Sequence, residues 1–165
     1  MTPSDAAWRQ LISTVQASGR KAALAITGGG SGAIGELLRV PGGSRLLIEA
    51  QVPYDEMALQ SFLGFAPAHA CAADTAVAMA QSARAHAAGL VPSGTDTVGL
   101  GATAALVSDR QRRGEHRFHI AYANAAGALS QLLREGKIRR DETTIVVLTG
   151  HGLKATDKIA ELLGA

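Results

Sequence analysis

The chain has 165 residues, room for one domain, and 47% of them are apolar, which excludes an intrinsically disordered chain. A formal charge of +2 does not favour nucleic-acid binding, and no apolar run is long enough to cross a membrane. The single Cys71 excludes an internal disulfide, and no signal-peptide pattern follows Met1, so we expect one cytoplasmic domain over residues 1–165.

Apolar periodicity, β-branched runs and glycine stops predict alternating helices and strands. In chain order they are helix Asp5–Gln16, strand Lys21–Thr27, a helix opened by the turn Thr27–Gly35, strand Ser44–Ala50, helix Asp55–Phe62, helix Asp74–Ala88, strand Thr97–Leu106, a charged turn Ser108–Glu115, strand His116–Tyr122, helix Ala125–Glu135, strand Thr143–Leu148 and helix Ala155–Leu163. Strands interleaved with helices are typical of a three-layer α/β/α domain.

The turn Thr27–Gly35 carries the sharpest local pattern. Gly30, Gly32 and Gly35 spell G-x-G-x-x-G between a predicted strand and a predicted helix, and Glu49 lies 19 positions after Gly30. This context is typical of a dinucleotide site, in which backbone N–H groups at a helix start hold phosphate and an acid binds a ribose hydroxyl. A tight turn that only needs glycine conformations gives the same pattern. Phosphate binding, an NAD site and a purely structural turn are all open at this point.

Other reactive side chains are isolated. Ser31 lies in the glycine turn, where its hydroxyl suits either a phosphate contact or a helix cap. Cys71 precedes a helix, which favours a thiolate, but a cysteine among alanines is typical of a small buried side chain. His116 and His119 are expected on opposite faces of a strand, so we expect no metal site. We expect no cofactor either. The arginines around Arg112 predict a solvated loop or an anion contact.

Five segments, in this order, resemble the C-terminal domain of the CinA competence/damage-inducible family, over about residues 5–122. They are residues 24–29 for a strand with E-S-C-T-G-G, 40–44 for V-P-G-S, 52–64 for V-x-Y-S-N-x-x-K ending in L-G, 73–80 for S-E-E-T-A-x-A-M-A, and 102–108 for V-T-G-I-A-G-P. Members of that family include nicotinamide mononucleotide deamidases, which release ammonia from the nicotinamide amide.

The resemblance implies a CinA-like fold with a pocket for a nucleotide or a similar phosphorylated small molecule. Together with the glycine turn, it indicates a set of candidate binding residues. They are Thr27, Gly28, Gly29, Gly30, Ser31, Gly32 and Thr103. The expected partner is therefore a small molecule. The sequence is also compatible with a homo-oligomer.

The sequence departs from the family where the resemblance places its chemistry. The family's nucleophilic serine corresponds to Ala25, and its lysine corresponds to Leu59. Neither side chain can attack a carbonyl or relay a proton. Tyr54 is kept, and Ser31 is the other candidate catalytic group. We expect amidase activity to be lost or altered, and a non-catalytic structural or assembly domain is the alternative.

Residues 125–165 form an atypical C-terminal extension. They resemble the closing helix and strand of threonine synthases, including the run T-G-H-G-L-K, which corresponds to a turn near the cofactor ring in those pyridoxal-phosphate enzymes. The cofactor lysine and phosphate loop of that family have no counterpart here. We therefore expect this segment to complete the sheet rather than to hold a cofactor.

Overall fold

The computed structural model describes residues 5–106 and 116–124. In these ranges the elements follow in the order α1 (Asp5–Gln16), β1 (Lys21–Gly28), α2 (Gly32–Arg39), α3 (Gly43–Leu46), β2 (Leu47–Gln51), α4 (Glu56–Leu63), α5 (Ala73–Leu90), β3 (Thr97–Ala105) and β4 (Arg117–Ala123). Within the described ranges, every helix is too short or too polar to cross a membrane.

The described strands form one sheet in the order β2-β1-β3-β4. Strands β1, β2 and β3 run parallel, and β4 is antiparallel to β3. In this register Ala25 lies opposite Gln51 on one side and Gly101 on the other, while Thr27 lies opposite Thr103. The carboxyl ends of β1 and β3 therefore meet at the same edge of the sheet.

Helix α5 lies unusually close to one face of the sheet. A Cβ atom added at Gly101 would lie 2.2 Å from the carbonyl oxygen of Ala76, and one at Gly99 would lie 2.0 Å from that of Ala80. Only glycine on the strand allows this approach, because the nearest atoms are those of the helix backbone. The glycines dotted along β3 are thus explained by helix packing, and α4 joins α5 on this face through Leu59.

Helices α2 and α3 cover the opposite face. Ile34 and Leu37 of α2 and Leu46 of α3 pack against the β1 side chains Leu24 and Ile26. Helix α1 joins this layer, and its buried Gln16 donates a hydrogen bond from Nε2 to the carbonyl oxygen of Val40 at 3.1 Å. The three-layer α/β/α prediction is confirmed.

Most element boundaries lie within one residue of the sequence prediction, and two differ by more than that. The strand predicted over Ser44–Ala50 is wrong in its first half, because residues 43–46 form the helical turn α3 before β2 begins at Leu47. Gly42 has φ +106° and starts that turn in the left-handed region, where glycine is favoured. Helix α5 runs past Gly89, which was predicted to end it. The elements predicted at 108–115, 125–135, 143–148 and 155–163 lie outside the described residues.

Candidate functional site

A cleft of about 440 Å³ opens where β1 and β3 end, and we call it the strand-end cleft. Its walls come from the two strand ends, the segment after β2 and the segment before α5. The lining residues are Thr27, Gly28, Gly29, Tyr54, Ala70, Cys71, Thr103, Ala104, Ala105 and Leu106. Ligands of open parallel α/β sheets bind at the carboxyl ends of the strands, so this cleft lies where the fold favours a site.

Two buried threonines fix the walls of the cleft. Thr27 and Thr103 are neighbours across β1 and β3, and both are nearly inaccessible to solvent. The Thr27 hydroxyl donates to the carbonyl oxygen of Pro53 at 2.9 Å, and the Thr103 hydroxyl donates to that of Ala70 at 2.7 Å. These bonds hold the two loops against the sheet. Since both hydroxyl protons are already donated, the threonines position the cleft and do not offer a donor to a ligand.

The floor of the cleft is bare backbone. Gly28 has φ +74°, and a Cβ atom there would lie 1.9 Å from the carbonyl oxygen of Ala104. The Gly29 N–H donates to the same oxygen at 3.4 Å, and a Cβ atom at Gly29 would lie 2.2 Å from Leu106 Cδ1. Gly28 thus requires glycine, for backbone conformation and for close approach to β3, whereas at Gly29 the obstacle is the end of the half-exposed Leu106 side chain.

The remaining predicted binding residues lie beside the cleft rather than on its wall. Gly30, Ser31 and Gly32 form the exposed turn that leads into α2. Within the described part of the chain, their backbone N–H groups have no hydrogen-bond acceptor. Ser31 occupies the N-cap position, but its side chain makes no capping bond, so the cap interpretation of its hydroxyl is wrong.

Tyr54 and Cys71 face the same cleft from different loops. Tyr54 is 72% exposed at the rim. Cys71 is partly exposed, and its sulfur lies 3.7 Å from the carbonyl oxygen of Arg117, so the expectation of a buried cysteine is wrong. Sequence reasoning did not place Ala70 or residues 104–106 at the site. Residues 104–106 are placed by the register of β1 against β3, and Ala70 by the hydrogen bond from Thr103, and the sequence carries no local signal for either.

The two positions that the resemblance assigns to the family's serine and lysine come together in the structure. Ala25 is 0% exposed and Leu59 is 2% exposed, and both belong to one apolar cluster with Ala23 and Met79. The cluster lies between the sheet and helices α4 and α5. Its member Ala25 is two residues before Thr27 of the cleft wall on the same strand. Both positions are therefore filled by packed alkyl side chains.

The geometry does not support the dinucleotide fingerprint. Cβ atoms added at Gly32 and Gly35 would meet open space, so neither glycine is needed for close packing. Glu49 lies in the middle of β2, and its carboxylate is 3.4 Å from Nδ1 of His86 on α5, which covers the face of the sheet opposite α2. Among the described residues, no group of three or more metal-ligating side chains comes together.

Comparison with family models and with curated proteins gave no match. Among solved structures, the chain is similar to the crystal structure of the competence/damage inducible protein CihA from Agrobacterium tumefaciens, with a TM-score of 0.56 and 19% sequence identity, over 76% of this chain and 77% of that chain. At this identity the likeness establishes the fold, and the chain has a CinA-like α/β fold. The threonine-synthase-like residues 125–165 lie outside the described part and gain no support from these comparisons.

Proposed function

We propose that the chain is a CinA-related domain that binds a nucleotide or a similar phosphorylated small molecule in the strand-end cleft, without the amidase chemistry of the family it resembles. The observation that carries the proposal is a contrast between two neighbouring places. The cleft wall keeps Thr27, Gly28, Gly29, Tyr54 and Thr103. Behind that wall, the positions of the family's two reactive groups are filled by packed alkyl side chains.

The cleft supports a small-molecule ligand by size and position. Its volume of about 440 Å³ is in the range of ligand pockets, and its apolar and backbone walls are typical of such sites. The turn at Gly30, Ser31 and Gly32 adds backbone N–H groups at the start of α2, where the helix dipole favours an anion. A phosphate at this turn would leave the body of the ligand over the glycine floor.

The absence of amidase activity follows from chemistry. Hydrolysis through a covalent intermediate needs a nucleophile and a base, and Ala25 and Leu59 supply neither. The Ser31 hydroxyl is exposed on the turn, and the Cys71 thiol contacts the carbonyl oxygen of Arg117. Among the described residues, no side chain that could act as a base is hydrogen-bonded to either group. The proposal therefore assigns ligand binding, and not turnover, to this cleft.

The test is a ligand panel followed by thermal unfolding of the full chain. Nicotinamide mononucleotide, NAD, pyridoxal phosphate and inorganic phosphate are added separately. A ligand at a hundred times its dissociation constant adds about 2.7 kcal/mol to the stability, which for this size raises the melting temperature by roughly 5–10 °C. We expect such a shift with at least one phosphorylated compound.

A matched pair of variants locates the bound phosphate. Gly30→Leu puts a side chain on the turn beside the cleft, and Gly94→Leu puts one in the loop before β3, at the other end of the sheet. Both glycines have positive φ, +97° and +86°, and both would point a Cβ atom into open space, so the backbone strain is equal. The ligand shift should disappear only with Gly30→Leu. No shift with any compound would leave a structural or assembly domain as the better description.

A further inference from the structure

A second cavity, of about 520 Å³, lies where the end of β2 meets α4 and α5, and we call it the α4–α5 cavity. It shares no lining residue with the strand-end cleft. Its apolar walls include Val52, Pro53, Ala58 and Phe62. The Phe62 ring meets the ring of His86 in a T-shaped contact, with centroids 5.6 Å apart. One side of the imidazole is therefore held against an aromatic wall of the cavity.

The other side of the imidazole is held by two polar side chains of β2. The amide Nε2 of Gln51 is 3.1 Å from Glu49 Oε2 and 3.1 Å from His86 Nδ1. Glu49 Oε1 lies 3.4 Å from the same Nδ1. Two neighbouring side chains of β2 and one of α5, 35 positions after Gln51, thus converge beside the cavity, and Gln51 and His86 line it directly.

Counting donors and acceptors in this cluster assigns the proton on the imidazole. The Gln51 amide has two N–H bonds, and when it donates one to Glu49 and the other to the Nδ1 lone pair, neutral His86 carries its proton on Nε2. Within the described residues, Nε2 has no partner and is free to donate. Glu49 Oε1 is closed off from solvent and receives no hydrogen bond from the described residues. With the proton on Nδ1 instead, the imidazole would donate to Glu49 Oε1 and would no longer accept a hydrogen bond from Gln51.

We propose that the α4–α5 cavity is a second ligand site, for a small molecule that joins an apolar ring to an oxygen acceptor, either a carboxylate or an amide carbonyl. Nε2–H of His86 and the hydroxyl of Ser61 donate to that oxygen, and the ring rests on Phe62 and Pro53. A carboxylate and an amide carbonyl can each accept both of these hydrogen bonds.

Benzoate and benzamide are the probes, because they share a ring and differ in the charge of the acceptor. Each is titrated into the full chain, and binding is followed by calorimetry and by NMR of the His86 and Phe62 ring signals. We expect at least one probe to bind and to shift both rings. Tighter binding of benzoate identifies the carboxylate class, and tighter binding of benzamide identifies the amide class.

His86→Ala and Ser61→Ala should each weaken binding about tenfold or more, which is about 1.4 kcal/mol. Both side chains are substantially exposed, so the variants fold, and far-UV circular dichroism checks this. His69→Ala is the matched control, because His69 is exposed and lines neither cavity. Gly30→Leu should leave probe binding unchanged, which separates this site from the strand-end cleft. No binding of either probe at about 1 mM, or binding indifferent to His86→Ala, would overturn the proposal.

Discussion

Replacing Leu59 with lysine tests whether the place of the family's lysine is packed core. Leu59 is 2% exposed and packs in one apolar cluster with Ala23, Ala25 and Met79. Removing the buried isobutyl group costs about 2 kcal/mol. A lysine ammonium desolvated there has its pKa depressed from about 10.4 to below about 7, which adds up to about 4 kcal/mol at neutral pH. We expect Leu59→Lys to lower the free energy of unfolding by about 4–6 kcal/mol.

The assay is urea unfolding monitored by circular dichroism, with Met57→Lys as the matched control. Met57 precedes Leu59 by two residues on α4 and is 67% exposed, so its replacement should change the stability by less than about 0.5 kcal/mol. The pH dependence gives a second check. A lysine whose folded-state pKa lies below its unfolded value destabilises most at neutral pH and below. The difference between the two variants should therefore shrink as the pH rises toward about 10.4.

Equal stability of the two variants would refute this reasoning. It would mean that solvent reaches Leu59 and that the strand-end cleft extends to the place of the family's lysine. A lysine at this position could then reach the cleft, and packing would no longer exclude the family's amidase chemistry there.

Two further predictions concern the walls of the strand-end cleft. Gly28→Ala should lower the free energy of unfolding in urea by about 3 kcal/mol or more, because the added Cβ would lie 1.9 Å from a carbonyl oxygen of β3. The control Gly19→Ala has a similar φ but open space around the added Cβ, so it should cost about 1 kcal/mol. Thr103→Val removes the hydroxyl bond to Ala70 and should cost about 1–2 kcal/mol. It should also speed the reaction of Cys71 with a chromogenic thiol reagent, and an unchanged rate would show that this bond does not anchor the loop.

Much of the layered fold could be predicted because its signals are local. The apolar run of β1 lies between Gly19 and the glycine turn, and the alanine-rich stretch of α5 is long enough to define its period. The segment 44–50 misled because its leucine and isoleucine content suits a strand. The helical turn over its first residues depends on a left-handed Gly42 and on Leu46 packing under the sheet, which is a tertiary effect.

The candidate site could be predicted only in part. The resemblance indicated that Ala25 and Leu59 replace reactive groups, but their meeting in one apolar cluster depends on how α4 packs against β1. The α4–α5 cavity was missed altogether. Glu49 and His86 lie 37 positions apart, and they meet because α5 crosses the sheet as far as β2, the outermost strand on that side among the described residues. No local pattern encodes that crossing.

The measurement that tests the central claim most directly is ammonia release from nicotinamide mononucleotide by the purified full chain. The thermal shift with the same compound, measured on the same sample, reports whether the ligand occupies the cleft. We predict a shift without ammonia above the enzyme-free background, because Ala25 and Leu59 supply no nucleophile and no base. Sustained turnover that Cys71→Ala or Ser31→Ala abolishes would contradict the account, since one of these residues would then be the nucleophile of an active amidase.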